Sequence, residues 1–141
     1  MFEELNRIVG EFWDALEECG VRISQEESRK EEAPEKEKVP RMVLYLSGAI
    51  TADSNYYSKF RVAHGEIGAK GHDVLNPAML PAGMSYDKYL DIDFAMLRAA
   101  DGIVMLDGWK ESTGAKAELR YALAAEKKVF FGTDAVPEVS R

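Results

Sequence analysis

The chain has 141 residues, 46% of them hydrophobic, enough for one domain with a buried core. Acidic residues outnumber basic ones 25 to 18, and the net charge of −7 repels nucleic-acid backbones and anionic membranes. A single cysteine, Cys19, excludes an internal disulfide framework; with no leader and no apolar run near ~18 residues, a soluble cytoplasmic protein is expected.

Phe2, Leu5, Val9, Phe12, Leu16 and Cys19 recur in steps of three and four, and Trp13 widens the stripe. This spacing predicts an amphipathic helix over residues 1–20 with a short coiled-coil seam. Such a helix is marginal alone in water and must pack on something. Docking or self-association into a homo-oligomer is its expected role. Residues 21–41 then turn charged and almost free of apolar side chains, which predicts a solvated linker.

The remaining residues, 42–141, alternate between strand and helix signals. Residues 42–46 (Met-Val-Leu-Tyr-Leu) read as a buried strand that ends in the loop Ser47-Gly48-Ala49-Ile50-Thr51. A helix is expected from about Ser54 to Lys70, closed by Gly71, and Asp73-Val74-Leu75 makes a second strand. The loop from Asn76 to Gly83 is bounded by prolines, and a second helix begins at Ser85 or Asp87 and ends near Ala100. Residues 102–106 form a third strand, Ser112 or Thr113 caps a third helix, and residues 128–131 form a fourth strand. The alternation predicts an α/β, Rossmann-like (flavodoxin-like) parallel sheet of four to five strands with helices on both faces. Ligands then bind beyond the carboxyl ends of the strands, at the loops that begin at Ser47, Asn76 and Asp107.

Two acids stand where an ordinary core helix carries apolar side chains. Asp93 shares a helix face with Tyr86, Leu90, Phe94 and Leu97, whereas Asp91 lies with Lys88, Ala95 and Arg98 on a solvated face. Glu118 sits beside the stripe of Ala115, Leu119, Ala122 and Leu123, and Gly114, one turn below, leaves a hollow walled by its carboxylate. A buried acid caps, pairs or works. A carboxylate nucleophile with a second acid beside it is the equipment of retaining glycosyl transfer. Tyr45 is placed to orient that nucleophile; the plainer alternative is a sheet tyrosine with a wet hydroxyl. Trp109, in the loop after the third strand, either stacks a base or anchors the loop. His64 and His72 lack partners at metal-ligand spacing, so no metal is expected. The glycines after the first strand do not make the dinucleotide fingerprint and there is no Walker lysine, so no cofactor is expected.

The ordered set Tyr45-Leu46-Ser47-Gly48, Asn76-Pro77-Ala78, Asp93 and Gly108-Trp109 through Ser112-Thr113-Gly114-Ala115-Lys116-Ala117-Glu118 resembles the nucleoside 2-deoxyribosyltransferase superfamily. The resemblance is greatest to its small phage and bacterial branch and to the deoxynucleoside 5′-monophosphate N-glycosidases. It runs from about Met42 to Phe131. It implies a small-molecule nucleoside or nucleotide substrate, with Glu118 as nucleophile, Asp93 as the acid that assists base departure and Tyr45 as the residue that orients Glu118. It also implies that Ser47, Gly48, Thr51, Asn76, Trp109, Ser112 and Gly114 line the substrate. Serine at position 112 matches the monophosphate N-glycosidases, where it binds phosphate, whereas Thr51 stands where those enzymes carry an arginine. Cleavage of a (deoxy)nucleoside 5′-monophosphate is therefore the favoured expectation. A deoxyribosyltransferase acting on free nucleosides, and a non-catalytic nucleotide-binding or assembly module, are the alternatives.

Overall fold

The computed structural model describes residues 38–51 and 53–141. The helix expected over residues 1–20, and the linker through residue 37, lie outside the described residues. Val39–Arg141 forms one compact unit, beginning three residues before Met42.

Four parallel strands make its sheet: β1 (Val43–Ser47), β2 (Asp73–Leu75), β3 (Gly102–Met105) and β4 (Lys128–Phe131), in the order β2-β1-β3-β4. Tyr45 lies opposite Leu75 on one side and Ile103 on the other. All of β3 and the last four residues of β1 are buried, as befits central strands covered on both faces, whereas β2 and β4 are only partly covered.

Alternation along the strands divides the molecule into two layers. Leu44, Leu46 and Val104, with Met42 and Leu106, form one core with Phe60, Ala63 and Ile67 of α1 (Tyr56–Ala69). Each of these side chains larger than alanine contributes about 1.5–3 kcal/mol on removal from water. Tyr45, Ser47, Ile103 and Met105 turn to the other face, under α2 (Tyr86–Ala99) and α3 (Thr113–Ala124). The expected fold is thus observed, with helices on both faces of an all-parallel sheet of four strands among the described residues.

Several boundaries differ from expectation for local reasons. α1 starts at Tyr56 rather than near Ser54, because the Asp53 side chain accepts a bond from Asn55 N (2.8 Å) and holds that segment in a turn. Its end follows the expected signal: Gly71 adopts φ +98° just after the last turn, a conformation that favours glycine. Ser112 caps α3 by accepting from Ala115 N at 3.2 Å. In α2, Leu97 is fully buried but Tyr86, expected on the apolar face, is 64% exposed. It lies in the first turn, whereas the buried residue of α2 lies near its end.

At the amino end of the sheet, polar side chains tie the final residues to the first strand. His72 accepts from Met42 N (3.1 Å) at Nδ1 and donates from Nε2 to the Pro137 carbonyl (2.7 Å). Lys70 Nζ donates to the carbonyls of Thr133 (2.6 Å) and Val136 (2.8 Å). Val39 and Ser140 pair with each other: Val39 N donates to Ser140 Oγ (2.7 Å), and Ser140 N donates to the Val39 carbonyl (3.0 Å).

Candidate active site

β1 has β2 on one side and β3 on the other, so the chain winds in opposite directions from it and a crevice opens at the carboxyl ends of β1 and β3. Glu118 projects into this region from α3. Its carboxylate is held by two hydroxyls from one strand: Tyr45 Oη donates to Oε2, and Ser47 Oγ donates to Oε1 at 3.2 Å. Tyr45 and Ser47 are each 1% exposed and Glu118 is 9% exposed. Two residues apart on a strand, the tyrosine and the serine share a face, so a long and a short hydroxyl side chain reach one carboxylate.

Burial dominates the electrostatics here. It raises the Glu118 carboxyl to about 7; the Asp93 charge adds to the rise, while the bonds from Tyr45 and Ser47 oppose it. Asp93, half-buried on α2, is raised to about 6 by burial. Its Oδ1 is buried and has no hydrogen-bond partner among the described residues. Burial first, then the charges of Glu118 and Asp93, push the Tyr45 phenol far above its ordinary range, so it stays a proton donor. The three residues singled out as catalytic in the sequence are therefore electrostatically coupled at one place.

The expected lining residues divide into two groups. Ser112 and Gly114 stand at the start of α3, and a Cβ built at Gly114 would meet only Ser112 Oγ, at 3.9 Å. The space beside Glu118 is thus open on that side. Trp109 leans on Phe131 (ring centroids 5.6 Å apart), with Lys110 Nζ 5.8 Å from its ring centre, and stays partly exposed. The loop is anchored, and part of the indole still meets solvent. Thr51 is exposed.

The others are engaged elsewhere. A Cβ at Gly48 would press on Leu106 and Phe60, the core that faces α1. The Asn76 side chain accepts from Ala78 N (2.9 Å) and contacts His64 Nδ1 (3.2 Å), so both ends of its amide are occupied. Ser47, expected among the open loop residues, lies buried beneath Glu118. The shallow depression on the outer face of α1, lined by Ser58, Arg61, Val62, Gly65, Glu66 and Ala69, contains neither acid of the site.

Residues 42–131 match a family model described as a domain of unknown function (DUF4406). The chain belongs to the DUF4406 family. The matched span takes in all four strands and the residues Tyr45, Asp93 and Glu118. No curated protein matches the chain. Among its described residues, this DUF4406 chain has no group of three or more His, Cys, Asp or Glu side chains that would hold a metal ion. None of the described helices is long and apolar enough to cross a membrane.

Proposed function

We propose that this protein cleaves the N-glycosidic bond of a deoxynucleoside 5′-monophosphate. The observation that carries the reading is the buried Glu118 carboxylate, gripped by Tyr45 and Ser47, with the unpartnered Oδ1 of Asp93 coupled to it. Two hydroxyls donating to Glu118 suit its ionised form. An Asp93 with no donor on its buried oxygen suits the neutral form, which carries its own proton. The working state is the one-proton pair in the arrangement that puts the proton on Asp93; Glu118 keeps its proton to the higher pH, about 7 against about 6, so this is the minor of the two arrangements.

In that state Glu118 attacks the anomeric carbon, forming a carbon–oxygen ester bond as the carbon–nitrogen bond to the base breaks. The departing nitrogen takes the Asp93 proton. Asp93, now ionised, accepts a proton from water as the water oxygen bonds to the anomeric carbon, and Glu118 leaves as carboxylate. Atoms and charge balance, and the pair returns to its starting state. Negative charge beneath the ring stabilises the oxocarbenium-like transition state. Tyr45 holds the attacking group in place.

The phosphate is assigned to the start of α3. Ser112 uses a lone pair to cap the helix, which leaves its hydroxyl proton for a ligand oxygen, and the first-turn N–H groups of Thr113 and Gly114 add donors. The exposed part of Trp109 offers a surface for the base.

The test is to incubate the protein with each of the common deoxynucleoside 5′-monophosphates and measure free base by chromatography. Base release that disappears in Glu118→Ala supports the reading. Turnover that requires a second base would instead identify a transferase. Ligand-induced thermal stabilisation without product, retained by Glu118→Ala, would identify a non-catalytic nucleotide-binding module.

A further inference from the structure

Within this reading of Glu118 as nucleophile, Ser47 has a function separate from that of Tyr45. One hydrogen-bond donor fixes an oxygen atom but leaves the carboxylate free to turn, because the terminal torsion of a glutamate is broad and roughly two-fold. Two donors on the two oxygens fix the plane. Tyr45 holds Oε2 and Ser47 holds Oε1.

The serine is well placed to set that plane. It is the last residue of β1, opposite Met105, and its carbonyl accepts from Leu106 N at 2.8 Å, so its backbone is clamped between strand and loop. Its side chain has one heavy-atom torsion and is 1% exposed, and its hydroxyl bonds the Oε1 of Glu118. A buried hydroxyl that lost this partner would be left without compensation for its lost water.

We propose that Ser47 is a positioning residue that fixes the carboxylate plane of Glu118, and thereby which lone pair faces the anomeric carbon. The assignment moves Ser47 from the expected substrate lining to the support of Glu118 and leaves the phosphate to Ser112 and the start of α3.

The experiment compares Ser47→Cys, which keeps the size but donates poorly, with Ser47→Thr, which keeps the hydroxyl on a residue suited to a strand. Kinetics are read on the nucleotide that wild type cleaves, alongside carboxyl-carbon NMR titration of Glu118. Ser47→Cys is expected to lower kcat about tenfold, the factor lost with one hydrogen bond of ordinary strength, while KM changes less than about twofold. Its Glu118 titration moves to higher pH, whereas Ser47→Thr retains both the wild-type rate and the wild-type titration. Should Ser47→Cys fail to fold, Ser47→Ala removes the donor without adding bulk and is read in the same way. Wild-type kcat with an unmoved titration in the Cys or Ala variant overturns the assignment. So does a raised KM at unchanged kcat, which would mark a substrate contact. A wild type that releases no base from any nucleotide removes the glycosidase reading itself, and the role of Ser47 falls with it; active wild type with indifferent Ser47 variants removes this inference alone.

Discussion

The two ends of the sheet treat buried polar groups in opposite ways. At the amino end such groups meet the backbone: the buried His72 joins Met42 N to the Pro137 carbonyl, and the partly buried Lys70 gathers two carbonyls. At the carboxyl ends of the two central strands, β1 and β3, side chains meet one another, with Tyr45 and Ser47 on Glu118 and Asp93 coupled to the same site. Backbone partners satisfy a group and fix a geometry. Two acids desolvated together are pushed toward neutrality and lose their protons in coupled steps. The same sheet therefore has a backbone-bonded histidine at one end and a coupled pair of acids at the other.

Predictions that break or sharpen this contrast run from large effects to small. Glu118→Ala is expected to lower base release by roughly 10³-fold or more, measured in single-turnover assays, while the far-ultraviolet spectrum stays that of wild type. A variant that retains its rate would break the contrast outright.

The upward shift of Glu118 also has a definite sign in stability. Its carboxyl titrates near 7 when folded against an ordinary 4.5, so the native state binds the extra proton between those values. The contribution is fully present below about pH 4.5 and is lost as pH rises through about 7; for this buried group it amounts to about 3 kcal/mol. Urea melts of wild type should show this fall, and Glu118→Gln should flatten it and be the more stable protein at pH 8.

Asp93→Asn is expected to lower the rate by about 10²-fold, the usual contribution of a general acid. Under the proposed one-proton mechanism, wild type should show a bell-shaped profile with limbs near 6 and 7. Without Asp93 the alkaline limb disappears, whereas the acid limb, the ionisation of Glu118 beside an uncharged neighbour, remains.

The amino end supplies the counterpart. His72→Ala leaves Met42 N without its partner and releases Pro137, so stability should fall by about 2 kcal/mol in urea melts with kcat unchanged. A change in kcat there would show that the two ends are not independent.

Much of this contrast is legible in the sequence, because misfit is visible before contact is. Asp93 and Glu118 stand out as charges in apolar periodicity, the strands as short branched runs, and Ser112 as a cap. Tyr45 is marked by lying on the strand that feeds the site. Ser47 is not marked: a serine at a strand end reads as a loop ligand, and its bond to Glu118 spans 71 residues of chain. The clue available was the alternation that puts it on the same face as Tyr45. Asn76 misleads because its amide can be satisfied within two residues, by Ala78 N. The pairing of Trp109 with Phe131 depends on the neighbouring strand and has no local signature. Tyr86 fails for a simpler reason: helical periodicity tells which direction a side chain points, not whether anything covers it there.

The pairing of Val39 with Ser140 makes the two ends of this unit immediate neighbours. A short bridge joining them would let the chain be reopened in the exposed stretch Pro81-Ala82-Gly83, between β2 and α2. Such a circular permutant keeps every strand in its place while freeing the segment that leads into the helix bearing Asp93. Its turnover would measure how tightly that acid has to be tethered.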